Sequence, residues 1–321
     1  MERYAVQELL NAGSRGDHET GSPILTSKGS PTVRRRRLGA QLRKMRKESD
    51  VSVDVVAEAF DVTPSTIYRM ELGRVGVKSR DISLFVKLYD ITNRELIREL
   101  TTLAKDGSKR GWWAKYTDTI SPPYATYVGL EADASRLCIY DGLIINGLLQ
   151  TRAYAKATFD FADQRAKVHM DRRIDLRMER QERLAQKGGF QIWDVIDEAA
   201  IRRVVGGGEV MQEQLRHLLK MAQLPNVTLQ VLPFEGGAYP GMLGSFTLME
   251  FGDGDDPEDP DPEPDPGYRH PDVVYIEGHT ADVYEEEQVE PFHGVFENLR
   301  AAALSPELSL DLIRKAADGL A

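Results

Sequence analysis

Apolar residues in the first third of the chain fall at helical intervals. Leu38, Leu42 and Met45 recur on one face behind the run Arg34-Arg35-Arg36-Arg37, which predicts one helix. Ser52 is placed to cap a second, with Asp54 in its first turn favoured by the helix dipole and Val56, Ala57 and Phe60 on its apolar face. Asp61 falls where the chain must turn, and aspartate tolerates the left-handed conformation better than most residues. Thr63 as N-cap and Pro64 at the first helical position open a third helix, whose Ile67 and Met70 face inward. Gly73 sits where that helix ends. A fourth helix is expected over 81–90, packing Ile82, Phe85, Val86 and Tyr89. A fifth opens at a capping box of Thr92 with Glu95 and runs to Ala104. Residues 105–110 read as a polar hinge before Trp112 and Trp113.

Beyond that hinge the period changes. Stretches 190–195, 227–232, 246–251 and 273–277 read as strands. Helices are expected at 148–159, 167–186, 210–224 and 291–303, and a last one starts at Ser305 as cap with Pro306 behind it. The segment MDRRIDLRMERQERL alternates charge sign and reads as a solvated helical face. The fold class is therefore an all-α N-terminal helix-turn-helix domain of five helices over 33–110, followed by a mixed α/β (α+β) domain over 111–321. Within the second domain, 252–267 is an acidic, Pro-rich insertion, extended and solvated because it cannot pack a core. Residues 1–32, rich in Gly, Ser and Thr, form a disordered tail.

The second and third helices satisfy a tighter rule. With Val53 as position one, apolar Val56, Phe60, Val62, Ile67 and Met70 fall at positions four, eight, ten, fifteen and eighteen. Small Ala57 stands at position five, where two short helices crossing at about 90–120° touch most closely. A generic three-helix bundle does not require these positions. In a helix-turn-helix the third helix presents its N–H groups and positive dipole end to phosphate. The hydroxyls of Ser65 and Thr66 add donors, and Arg69, a turn later, has the fork that fits guanine O6 and N7. Ser52, Thr66, Tyr68, Arg74, Lys78 and Arg80 are candidates for the DNA backbone. The arginine run has two readings: contact with backbone or minor groove, or a solvated basic face.

Charge supports a polyanion at one end only. The 321 residues carry a net charge of -10. Residues 33–115 hold 19 basic and 11 acidic side chains, a balance of +8, whereas 116–321 carry -17. The length predicts two domains. No apolar run is long enough for a membrane, and the single cysteine, Cys138, excludes an internal disulfide, so a cytoplasmic location is expected.

Catalysis is not expected. VVGGGEV lacks the Lys-Ser/Thr of a phosphate-binding loop and reads as a plain loop. His18, His169, His217, His270, His279 and His293 form no metal-binding pair, and the acids of 253–259 do not fit a calcium loop, so no metal and no cofactor are expected. Cys138 lies in an apolar context without a neighbouring histidine. The acids Glu131, Asp133, Glu277 and Glu285, Glu286 and Glu287 are the ones that could gather in a pocket.

LGAQLRKMRKESDVSVDVVAEAFDVTPSTIYRMELGR resembles the Cro/C1 (XRE) class of helix-turn-helix regulators. The resemblance implies a pair between Arg46 of the first helix and Glu71 late in the recognition helix. It implies base reading by Pro64, Ser65 and Arg69; Pro64 stands where the class often has glutamine, which leaves only an apolar contact to a thymine methyl. GWWAKY, YVGLEADASRL, GLLQTRAYA, LPFEGGAYPGMLGSFTLMEF, DVVYIEG and LRAAALSP resemble the C-terminal domain of WhiJ-type actinobacterial regulators, also described as Scr-family antitoxin-like. Together the two resemblances imply a transcription regulator that binds double-stranded DNA as a homodimer, with a small protein partner encoded nearby. The alternative is an antitoxin-like protein that sequesters that partner and binds DNA only for autoregulation.

Overall fold

The computed structural model describes residues 30–160, 169–186, 190–252, 271–278 and 281–320. The expected tail lies outside these up to residue 29, as does the acidic insertion from Asp253 onward.

The N-terminal half is helical throughout. Ser30 caps α1 (Pro31–Glu48) by accepting from Val33 N. It is followed by α2 (Val53–Ala59), α3 (Pro64–Glu71), α4 (Ile82–Leu88) and α5 (Arg94–Gly107). Leu38, Leu42, Val56, Ala57, Ile67, Ile82, Phe85 and Leu100 form its core. Asp50, Asp61 and Asp90 take positive φ at three of the turns, each a residue that pays less than most for that conformation. The cap of α5 is Asn93, whose side chain accepts from Glu95 N and Leu96 N, and not the expected Thr92 with Glu95. An Asn side chain reaches amides two and three residues on, so it takes the cap one position later. The helix also continues through the first part of the expected hinge.

The C-terminal half holds a six-stranded mixed sheet in the order β3-β2-β1-β4-β5-β6. Its strands are β1 (Arg136–Asp141), β2 (Gln191–Asp197), β3 (Val227–Leu232), β4 (Phe246–Glu250), β5 (Val273–Ile276) and β6 (Val283–Glu285). The first three run parallel, and β4, β5 and β6 pair antiparallel in turn. The helices are α6 (Pro122–Glu131), α7 (Arg152–Asp160), α8 (Met170–Leu184), α9 (Glu198–Arg202), α10 (Gly208–Met221), α11 (Glu290–Ala302) and α12 (Pro306–Asp318). Tyr127, Leu130, Tyr154, Leu176, Leu215 and Ile313 from five of them bury one face of the sheet. Phe296 and Leu299 of α11 bury the other.

Two expectations fail here. The charged helix, α8, is not simply a solvated face. Ile174, Leu176, Arg180 and Leu184 are buried, a stripe spaced two to four residues apart that turns inward beneath the visible charges. Arg180 donates Nε to Glu131 Oε1 (2.7 Å) and Nη2 to Oε2 (2.5 Å), a bidentate pair in which both side chains are 3% exposed. The arginine run is neither a DNA arm nor a solvated face. Arg36 and Arg37 are both buried, Arg36 where α1 meets the second half. Arg36 Nη2 bonds Glu286 Oε1 at 2.5 Å and its guanidinium lies 5.3 Å from the Tyr284 ring centre. Arg43 reaches Glu287 at 3.3 Å, and Arg34 lies 3.4 Å from Asp106.

The helix α1 is thus shared. Leu38, Leu42 and Met45 belong to the N-terminal core, and Val33, one to two turns earlier, belongs to the C-terminal one. Ser30 donates its hydroxyl to Gly129 O (2.8 Å), and Thr32 lies against Gly129, where only glycine leaves it room.

Candidate nucleic-acid interface

The recognition geometry starts with the turn. The amide of Val62 bonds back to Ala57 O at 3.0 Å, and Asp61 adopts φ +52° between them. That reversal sets α3 across α2 with Ala57 buried at the contact. Pro64 holds the first helical position of α3. Thr63 has extended backbone but its side chain caps no amide; its hydroxyl lies 3.1 Å from that of Thr66 instead. Gly73, at φ +63°, ends the segment and passes so close to Arg36 that a Cβ would lie 2.6 Å from its Cα.

The inner face of α3 is fixed by charge as well as by Ile67. Arg46 Nε donates to Glu71 Oε1 at 2.6 Å and Nη2 to Oε2 at 3.0 Å, while Nη1 donates to Val51 O at 3.2 Å. Both side chains are buried. The pair joins α1, α3 and the loop before α2, and the bidentate geometry offsets the desolvation of both groups. A second device was not visible in the helical pattern. Gly39 of α1 faces the end of α3, where a Cβ would lie 2.5 Å from the carbonyl oxygens of Met70 and Glu71. A glycine inside an otherwise regular helix was the available signal, since it costs about 1 kcal/mol unless close packing requires it.

The outer face is open. Pro64, Ser65 and Arg69 are exposed together on α3, with Tyr68 beside them at 52% exposure. Thr66 is half-buried by its contact with Thr63. Ser52 is exposed at the start of α2, where its hydroxyl accepts from Val55 N at 3.3 Å, so it presents that helix end as well as capping it. Arg74, Lys78 and Arg80 are exposed in the segment after α3. Among the described residues no carboxylate lies within ion-pair distance of Arg69, Arg74 or Lys78; Arg80 has only the adjacent Asp81 at 3.6 Å. The base-reading candidates Pro64, Ser65 and Arg69 are thus exposed on α3, the backbone candidates apart from Thr66 are exposed on α3 and the segments flanking it, and Arg46 and Glu71 are buried beneath.

The acids that could have gathered in one pocket are dispersed, apart from Glu286 and Glu287, which line a cavity beside α1. Glu131 is bound by Arg180, Asp133 accepts from Ser30 N, Glu286 is bound by Arg36, and Glu277 stands at a separate cavity. Cys138 is buried, and burial beside Glu250 pushes its thiol up, away from the thiolate form a nucleophile needs. Among the described residues no group of His, Cys, Asp and Glu could hold a metal ion, and no helix is long and apolar enough to cross a membrane.

Residues 37–100 match the family described as a helix-turn-helix domain. The matched segment contains the whole face described above, which supports DNA binding and transcription regulation. No curated protein and no solved structure matches the chain. Residues 124–315 match the family described as "Domain of unknown function (DUF5753)". That match covers more than half of the 321 residues, and the chain belongs to this family, carrying its domain of unknown function behind a helix-turn-helix domain.

Proposed function

We propose that the protein is a sequence-specific transcription regulator of Cro/C1 type that binds an inverted repeat as a homodimer. Arg69 and Ser65 read base edges, Pro64 touches a thymine methyl, and Ser52, Thr66, Tyr68, Arg74, Lys78 and Arg80 hold the phosphates. The observation that carries this reading is the uncovered α3 face, with unpaired Arg69 on it and the buried Arg46–Glu71 pair holding it from behind. The second half binds a small protein partner. An apolar tip supports this: Leu143 (63% exposed), Met242 (68%) and Leu243 (96%) stand together at the carboxyl ends of the parallel strands, where Gly142 N bonds Ser245 Oγ. A partner would cover them.

Fluorescence anisotropy on the chain's own upstream region, against a scrambled duplex and across a salt series, tests the reading. Specific binding should survive at salt concentrations that abolish the scrambled complex, because base contacts add to a shared electrostatic part. Equal affinity for both duplexes at every salt concentration would reject it. Selection against genomic fragments separates a regulator of many promoters from an autoregulated, antitoxin-like protein that recovers only its own.

A further inference from the structure

The second half contains a cavity of about 230 Å³ between α6, α7, α8 and the end of β5. It is smaller than the pockets of roughly 300–1,000 Å³ that hold drug-sized ligands. Its walls are unusual in their charge. Arg173 and Arg177 of α8 line it together with Glu277 and Asp282, which follow β5 in the chain. Among the described residues neither arginine has a carboxylate within ion-pair distance, and neither acid has a cation. Arg173 spends its Nε on Thr119 O at 2.9 Å. Arg177 bonds Gln150 Oε1, and its Nε is buried with no hydrogen-bond partner.

Beside these charged groups the lining is mostly apolar or aromatic. Phe159 lies against the Arg177 guanidinium, 4.7 Å from ring centre to its carbon, so that this cation is held in place before anything binds. Tyr275 and Tyr124 also line the cavity. Tyr124 is itself fixed: its hydroxyl accepts from Arg180 Nη1 at 2.5 Å, and its ring stacks on Tyr127 at 5.7 Å, which in turn meets Tyr275 at 4.5 Å. Both arginines are half-buried with no carboxylate at ion-pair distance, and Glu277 acts on Arg177 only from across the cavity, while Glu277 itself is exposed and Asp282 half-buried. The uncompensated burial therefore falls on the arginines, and a ligand carboxylate would relieve it.

We propose that this cavity binds a small free amino acid with an apolar side chain. Its carboxylate is taken by Arg173 and Arg177, its ammonium group by Glu277 and Asp282, and its side chain by Phe159 and Tyr275. The two charged ends select against neutral or singly charged molecules of the same shape, since a missing charge leaves the facing protein groups unpaired. The cavity of about 230 Å³ matches a single amino acid in size. The site is independent of the DNA face and stands or falls without it.

Isothermal titration calorimetry of the full chain with L-leucine, L-phenylalanine and L-tryptophan tests this, each compared with its methyl ester and its N-acetyl form. At least one free amino acid should bind, and both blocked forms should bind about tenfold weaker or less. Arg173→Gln should abolish the preference for acid over ester, and Asp282→Asn the preference for amine over N-acetyl amine, with circular dichroism melting confirming that both variants fold. The proposal is overturned if none of the three binds at millimolar concentration, or if the wild-type chain binds an ester or N-acetyl form as tightly as the free amino acid. DNA affinity, measured in the same preparations, reports separately on the regulator.

Discussion

Arg69 and Arg80 are both exposed cations, yet they stand on different parts of the motif. Arg69 projects from the last turn of α3, on the exposed side of the recognition helix. Arg80 lies in a short helical turn after it and shares its charge loosely with Asp81, a surface pair worth little. Arg69→Ala should therefore cost about 1–3 kcal/mol on the cognate site and relax preference at one base pair. Arg80→Ala should weaken all sequences alike and lower the salt slope by about 1. Anisotropy on cognate and single-substituted duplexes distinguishes them, and identical behaviour would make Arg69 a backbone contact. Behind that face, Glu71→Ala strands the buried Arg46 charge. A loss of about 3–5 kcal/mol in chemical denaturation is expected, together with DNA affinity. A variant that keeps its stability and loses only affinity would assign Glu71 to the DNA. The Arg46–Glu71 pair was legible through resemblance to a known class. The Arg36–Glu286 pair was not, because its partners lie 250 residues apart and nothing local in either segment announces the other.

At the level of elements, strands with an alternating or bounded apolar run were readable, and Val227–Leu232 is found as expected. The central strand β1 was missed. Its Leu137, Cys138, Ile139 and Tyr140 are all buried, so no alternation marks it, and four apolar residues between Arg136 and Asp141 are too few to choose a structure. The three-residue edge strand β6 carries even less signal. Helix α8 shows the opposite failure, where abundant charge hid an inward stripe. Neighbouring β1 and β2 also bury a chemical oddity. Asp194 of β2 is fully buried, neither carboxylate oxygen has a hydrogen-bond partner among the described residues, and Asp141 stands on the same face of the adjacent strand. Burial foremost, and then the facing Asp141, push the Asp194 carboxyl well up. The native state therefore keeps a proton that the unfolded chain releases near pH 4. Protons bound to the native state exceed those on the unfolded one above that pH, so stability falls as pH rises, until the raised native value is passed. Each pH unit of that window costs about 1.4 kcal/mol. Asp194→Asn should match the wild type near pH 4 and melt higher at pH 8. Parallel melting curves from pH 4 to 8 would show that Asp194 is ionised in the native protein.

On the scale of the whole molecule, composition and charge correctly separated a basic helical half from an acidic mixed half, but they implied two bodies joined by a hinge. The structure joins them through α1 instead, which puts Val33 in one core and Leu38 and Leu42 in the other. Side chains from β6 and the residues after it close the junction. Arg36, 6% exposed, is bound by Glu286 and faces the Tyr284 ring, and Tyr284 in turn donates its hydroxyl to Pro123 O at 2.7 Å. Burial foremost lowers the Arg36 pKa while Glu286 opposes that shift, so the carboxylate is what keeps the charge tolerable inside the junction. The neighbouring pair of Arg43 with Glu287 is open to water and should contribute about 0–1 kcal/mol. Two variants one residue apart then have different consequences. Glu287→Gln should leave calorimetric unfolding as it is in the wild type, a single transition in which both halves melt together. Glu286→Gln leaves a buried guanidinium facing a neutral amide, so the junction should weaken and unfolding should broaden or separate into two transitions, the lower belonging to the half that loses its partner. Differential scanning calorimetry at low and high salt decides between them: screening should erase any effect of the Glu287 change and leave that of the Glu286 change in place. If the two variants melt alike, the buried pair does not hold the halves together, and the coupling rests on the start of α1: Val33 in the second core, the close approach of Thr32 to Gly129, and the bonds of Ser30 to Gly129 and Asp133.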